Sequence, residues 1–267
     1  MTLVELLDRY QAFFLDAYGV LVDAAGAIAG AAELLAQLRA RDKTFYIITN
    51  DASKTPETSS RHFLERGLTV EPERILTSGL LLADYYARHD LAGAPSLVLG
   101  PDDSRRYVEL AGGEPVDPGH EFEVVVLGDE RGFDFLESMD ELLSQLVAAL
   151  DAGRRPRLVV PNPDLVYPRR QGGFGFTAGA MAMMLEAALA RRYPDPPTFE
   201  RLGKPSPALY QMAIERAGTR QALVVGDQLE TDIQGARAAG LDSALVLTGV
   251  SSGPTEAITP TYVLPRI

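Results

Sequence analysis

The sequence predicts an α/β protein built on parallel sheets, with one α/β domain inserted into another, and three observations predict it. Short apolar runs alternate with segments of helical spacing, the pattern of strands joined by crossover helices. The two ends of the chain share one pattern, while the middle carries its own series of strands. The Pro-dense stretch YPDPPT (193–198) marks a hinge after which the first pattern resumes.

The elements follow in order. Phe13 to Leu15 is a buried strand ending at Asp16, and Ala31 to Arg41 has helical spacing. Phe45 to Ile48 is a second strand, ending at Thr49 and Asn50. Thr55 as N-cap, Pro56 at the first helical position and Gly67 past the end frame a helix. Arg74 to Thr77 is a third short strand. In the middle, Ser96–Leu99, Val124–Leu127 and Leu158–Val160 read as strands, with helices over 137–151 and 178–192. Ser206 and Pro207 open a helix closed at Gly218, and Leu223–Val225 and Ser243–Leu247 are strands. The expected division is therefore a core from residues 1–78 and 200–267, with an inserted α/β domain at 79–199.

Composition narrows the function. The 267 residues, 46% hydrophobic, suffice for one large domain or two modest ones. Net charge is -12 and no long Lys/Arg run occurs, so a nucleic-acid partner is not expected. The absence of cysteine excludes disulfides, thiolate catalysis and Cys-based zinc sites. His62, His89 and His120 are too scattered for a histidine-rich metal site. The N-terminal segment lacks a basic leader and no apolar run reaches membrane-spanning length, so a cytoplasmic protein without a membrane partner is expected.

Four segments carry the chemistry, each at or near a strand's C-terminal end, where ligands of open parallel sheets sit. In LDAYGVL (15–21), a carboxylate just past a hydrophobic strand can serve as nucleophile or metal ligand; a strand-terminal Asp opening a turn at Gly19 accounts for it equally well. In ITNDAS (48–53), the Thr49 hydroxyl, the Asn50 amide and exposed N–H groups near Asp51 suit a phosphoryl group, although an ordinary polar loop would look the same. In GKPSP (203–207), Lys204 stands ahead of a helix start, which suits anionic charge. The strongest signal is VVGDQLETDI (224–233). Asp227 and Asp232, five apart across a strand-to-helix turn, are hard oxygen ligands of the kind that hold Mg²⁺.

The order Asp, Thr-Asn, Lys, then paired Asp resembles the haloacid dehalogenase (HAD) superfamily. More narrowly, GKPSPALYQMAIERAG, VVGDQLETDIQGARAAGLDSALVLTGV and the Asn162-Pro163-Asp164 run look like its large-cap, NagD-type phosphatase branch. The resemblance implies a three-layer Rossmann-like core with an α/β cap and a small phosphorylated substrate. It also implies Asp16 as the nucleophile that becomes an aspartyl-phosphate. Magnesium would be held by Asp16, the Tyr18 main-chain carbonyl and Asp227, with Asp232 in support. Thr49, the Asn50 backbone and Lys204 would hold the phosphoryl oxygens, and Asp51, Asn162 and Asp164 are further substrate-side candidates. Cap-mediated homodimers occur in similar proteins, so a homodimer is compatible with the resemblance.

One position departs from the pattern. Phosphatases of this family carry a second Asp two residues after the nucleophile as general acid and base, and here that residue is Tyr18. Proton transfer of this kind contributes about 10²–10⁴-fold, so slow turnover of alkyl phosphates is expected, with aryl and acyl phosphates suffering less. Tyr18 also supports a second reading, a phosphate-binding homologue without turnover. The Asp-Ala-Tyr-Gly run resembles 2-haloacid dehalogenases as well. Those carry their cap between the first two motifs, whereas here Asp16 and Thr49 are 33 positions apart while Asn50 and Lys204 are 154 apart.

Weaker signals are read as structure. GFGFTA (173–178) matches a dinucleotide fingerprint but follows no strand, and is expected to be a flexible loop feeding the next helix. Met181, Met183, Met184 and Leu185 are expected to pack in the core. Arg154-Arg155 and Arg169-Arg170 are read as solvated surface.

Overall fold

Phe13 and Leu15 point to one side of the first strand, Ala12 and Phe14 to the other, and all four are buried. A strand covered on both faces belongs to the middle of a parallel sheet with helices on either side. The computed structural model, which describes residues 3–168 and 173–267, has that arrangement. Arg169 and Arg170 fall outside the described residues.

Strands β1 (Ala12–Asp16), β2 (Thr44–Thr49), β3 (Ile75–Thr77), β11 (Ala222–Gly226), β12 (Asp242–Val246) and β13 (Tyr262–Leu264) form one sheet in the order β13-β12-β11-β1-β2-β3. Every pairing in it is parallel. On one face lie the short α1 (Leu3–Leu6), α2 (Ala31–Ala40) and Phe63 of α3 (Pro56–Glu65). On the other lie α8 (Ala208–Ala217) and α9 (Gln234–Ala239). The signals for α3 hold in detail: the Thr55 hydroxyl accepts from Thr58 N–H, Pro56 is the first residue, and Gly67 has a positive φ.

The middle of the chain builds a second parallel sheet, β10-β7-β6-β4-β5, from β4 (Pro95–Leu99), β5 (Glu114–Val116), β6 (Val124–Leu127), β7 (Arg157–Val160) and β10 (Phe199–Arg201). Its outer face packs on α6 (Phe135–Asp151) and α7 (Ala178–Ala190). Its inner face, with Val98, Val124, Val126 and Val159, shares one apolar cluster with α4 (Leu81–Arg88), Tyr107 of α5 (Asp102–Leu110) and the even-numbered face of β1. Core and insertion are thus joined by continuous packing. No helix among the described residues is long and apolar enough to cross a membrane.

Two local expectations are corrected. Phe174–Phe176 is a strand (β9), not a loop, paired antiparallel with β8 (Val166–Pro168), because alternation about Gly175 suits a hairpin better than the glycines suit a coil. Met181 and Leu185 are buried, but Met183 and Met184 are about half exposed, at 49% and 54%. A helix 100° per residue turns those two away from the stripe that faces the sheet. Strands β5, β10 and β13 and helices α4 and α5 gave no clear signal. YPDPPT precedes β10, which pairs with β7, so the chain leaves the second sheet only after Arg201.

Candidate active site

Three strands of the first sheet end side by side, and each delivers a functional group. Asp16 is the last residue of β1, which lies between β2 and β11. Thr49 ends β2, and Asp227 follows Gly226 at the end of β11. Lys204 enters from the loop between β10 and α8. Its Nζ donates to Asp16 Oδ1 at 2.6 Å, to Asp232 Oδ1 at 2.6 Å and to the Ile48 carbonyl at 3.2 Å. Burial alone would discharge this lysine, but the two carboxylates hold its pKa above the usual range.

One ammonium does not balance the acids around it. Ligand atoms of Asp16, Asp227 and Asp232 lie within 4.8 Å of one another, and all three residues are buried. Burial pushes Asp16 up to about 7 against the pull of Lys204. Asp227 is driven well above the carboxylate range by burial and by its two acidic neighbours. Its Oδ2 accepts from Val250 N–H at 2.7 Å, while its buried Oδ1 has no hydrogen-bond partner among the described residues. An orphaned oxygen inside a like-charged cluster is what a hard divalent cation would satisfy, so these residues fit magnesium. Both oxygens of Asp232 are already engaged, by Lys204 and by Gln228 N–H at 3.2 Å. A π turn over Leu229–Ile233 brings it there. Gly19 has φ +89°, and a Cβ on it would collide with the Asp227 carboxylate. Only glycine lets the chain turn back beneath these carboxylates.

The loop after β2 is held in place from several sides. Asn50 spends its side chain on structure: Oδ1 accepts from Lys204 N–H at 2.8 Å, and Nδ2 donates to the Lys204 carbonyl at 3.0 Å and to Asp164 Oδ1 at 2.9 Å. Asp51 accepts from Ser53 and, at 2.7 Å, from Lys54 Nζ; burial would raise its pKa, but these partners keep it low. Helix α5 pins the same loop through Ser104 to the Ala52 carbonyl, Tyr107 to the Lys54 carbonyl and Asp103 to Thr55 N–H.

A cavity of about 410 Å³ opens over these strand ends. Asp16, Tyr18, Thr49, Asn50, Asp51 and Lys204 line its floor, and Asn162 and Asp164 line its roof. The structure therefore gathers eight of the ten residues singled out from the sequence around one space, with Asp227 and Asp232 packed behind Asp16. The roof comes from the second sheet: residues 129–131 follow β6, and residues 162–164 follow β7. Both parallel sheets present their C-terminal edges to the same cavity. Asn162 Oδ1 accepts from Asp164 N–H at 3.0 Å, a local turn that aims the Asp164 side chain at Asn50. The Tyr18 ring packs partly on the apolar cluster beneath the sheet and partly into the cavity wall.

Sequence reasoning missed Lys54 and the Asp129-Glu130-Arg131 run. Arg131 Nε donates to Asp129 Oδ1 at 2.9 Å and lies 3.3 Å from Glu130 Oε1. The signal was available: the strand-end rule applied to the core also holds for β6 of the insertion.

Comparisons with known proteins agree with this geometry. Residues 13–114 match the family model of haloacid dehalogenase-like hydrolases, and residues 201–267 match a second HAD-hydrolase-like model. A D-glycerol 3-phosphate phosphatase of Mycobacterium tuberculosis is 35% identical over 223 residues, which is 84% of this chain; the chain spans only 59% of that relative's length. A possible sugar phosphatase of the HAD superfamily from Cytophaga hutchinsonii superposes with a TM-score of 0.86 at 28% identity, covering 100% of this chain and 97% of the other. A glycerol phosphate phosphatase from M. tuberculosis in complex with calcium gives 0.80 at 30% identity, covering 98% and 74%. The magnesium complex gives 0.80 at 29%, covering 98% and 77%.

Proposed function

The chain belongs to the haloacid dehalogenase-like hydrolases, and from that premise we propose that it is a magnesium-dependent phosphatase of small phosphorylated metabolites. The observation that supports it most is the strand-end cluster: Asp16 bound to Lys204 at 2.6 Å beside the unpartnered Oδ1 of Asp227. The relatives named as glycerol phosphate and sugar phosphatases point to a polyol or sugar phosphate.

Asp16 attacks phosphorus, the bond to the leaving oxygen breaks, and an aspartyl-phosphate forms, which water then hydrolyses. Lys204 and the N–H groups of the 49–51 loop oppose the charge that gathers on the phosphoryl oxygens. Asp16, Asp227 and the Tyr18 carbonyl would hold the magnesium, which supplies further neutralisation of that charge. Asp232 acts from behind, fixing Lys204. The inserted sheet serves as cap and shapes the leaving-group pocket, at a cytoplasmic enzyme's working pH. Tyr18, at the position of the family's acid-base Asp, makes turnover of alkyl phosphates slow.

The test is phosphate release with Mg²⁺ from acetyl phosphate, nitrophenyl phosphate and glycerol 3-phosphate. Release that disappears in Asp16→Asn supports the proposal. Silence on all three alongside phosphate binding would instead mark a non-catalytic homologue, the reading that Tyr18 favours, and chloride release from 2-chloropropionate would mark a dehalogenase.

A further inference from the structure

If the phenol at position 18 is a poor acid, a different group must protonate a poor leaving group. Of the carboxyl groups lining the cavity, nearly all are committed. Asp16 is bound to Lys204, Asp51 to Lys54, and Asp129 and Glu130 to Arg131. Asp23 accepts from the N–H groups of Ala25 and Gly26. Asp164 differs. Its Oδ1 accepts a neutral hydrogen bond from Asn50 at 2.9 Å, and no cation lies within ion-pair distance among the described residues. Its Oδ2 has no hydrogen-bond partner among the described residues. The side chain hangs from the roof on a turn fixed by Asn162 and by the Thr177 hydroxyl, which donates to the Asp164 carbonyl. Through Asn50 it is tied to Lys204, and so to Asp16.

Resting on the phosphatase reading above, we propose that Asp164 is the catalytic acid of this chain, donating from Oδ2 to the leaving oxygen. As the Asp16–phosphorus bond forms and the phosphorus–oxygen bond breaks, the proton passes to that oxygen, which departs as a neutral alcohol. Asp164 is left as a carboxylate. In the second half, water adds to phosphorus, the Asp16–phosphorus bond breaks, and the water's proton returns to Asp164. Burial, opposed by the charge of Lys204 and the Asn50 hydrogen bond and aided by Asp232, pushes the Asp164 carboxyl up to about 6. That range lets it serve as acid and then as base near neutral pH.

The test compares leaving groups. In Asp164→Asn, glycerol 3-phosphate turnover should fall by about 10²-fold or more while acetyl phosphate turnover changes less than about threefold. Tyr18→Asp introduced into that variant should restore glycerol 3-phosphate turnover, because it returns a carboxyl to the family's position. An equal loss on both substrates would assign Asp164 to positioning of Asn50, and no loss on either would remove it from the mechanism; each result overturns the proposal. A series of aryl phosphates on the unaltered protein gives an independent reading. A shallow dependence of kcat on leaving-group pKa supports proton donation, and a steep one contradicts it. Acetyl phosphate hydrolysis that requires Asp16 checks the underlying phosphatase reading separately.

Discussion

The floor and the roof of the cavity are built from the same device and held to different standards. On the floor, Asp16, Thr49 and Asp227 stand at the ends of three adjacent strands, buried and cross-linked by Lys204. On the roof, Asp129 to Arg131 and Asn162 to Asp164 occupy loops beyond β6 and β7, and the Arg131 side chain is 63% exposed. A side chain rooted in a strand end is placed by the sheet, whereas one on a loop is placed by its neighbours. On the reading proposed above, attack and charge neutralisation therefore fall to the floor, while the roof supplies the choice of substrate and, in Asp164, the proton donor.

Substitutions should divide along that line. The largest effect is expected for Asp16→Asn, which removes the proposed nucleophile and should lower kcat by about 10⁴-fold or more. Its melting temperature should not fall, because one member of a mutually repelling cluster is neutralised; steady-state kinetics and thermal denaturation read both. Next comes Tyr18→Asp in the Asp164→Asn background, which should raise turnover of glycerol 3-phosphate by about 10²-fold and that of acetyl phosphate far less. Lys204→Met strands two buried carboxylates and should cost about 3–5 kcal/mol in urea denaturation without metal, with the loss shrinking when magnesium is added.

Acidity offers a quieter check. The folded-state pKa of Asp16, about 7, exceeds that of an unfolded aspartate near 4, and Asp227 is raised as well. Between those pH values the folded chain keeps protons that the unfolded chain has released. The stability that these two groups contribute to the metal-free chain is therefore full below about pH 4 and lost as pH rises through about 7. Magnesium should stabilise the protein more at pH 8 than at pH 5, and melting temperatures with and without the ion would show it. The smallest effect belongs to the roof: Arg131→Ala should change KM by no more than about tenfold and leave kcat alone, since Arg131 engages only the roof carboxylates Asp129 and Glu130 among the described residues. A large loss of kcat there would blur the division between floor and roof.

The same contrast explains what could be read from the sequence. Buried strands announce themselves as apolar runs, and a polar residue directly after one is placed by the sheet, so Asp16, Thr49 and Asp227 were legible. Lys204 was legible through its place before a helix. Asp129 to Arg131 were not, although β6 was seen, because their meaning depends on the second sheet facing the first. Tertiary packing decides that, across residues more than 100 apart in sequence. What Asn50 and Asp232 hold was hidden for a different reason. Each places its side chain on Lys204, a partner that only the folded chain brings near, as in the 2.8 Å bond from Lys204 N–H to Asn50. The exposed Met183 and Met184 show the opposite limit, since composition suggested a core stripe that the helix turns outward.

Covalent capture tests the central claim most directly. Protein mixed with Mg²⁺ and acetyl phosphate, quenched in acid within one turnover and mapped by mass spectrometry, should carry a phosphoryl group on the peptide containing Asp16, and the Asp16→Asn variant should carry none. Turnover that proceeds with that peptide unmodified, or with the label on another residue, would contradict the account.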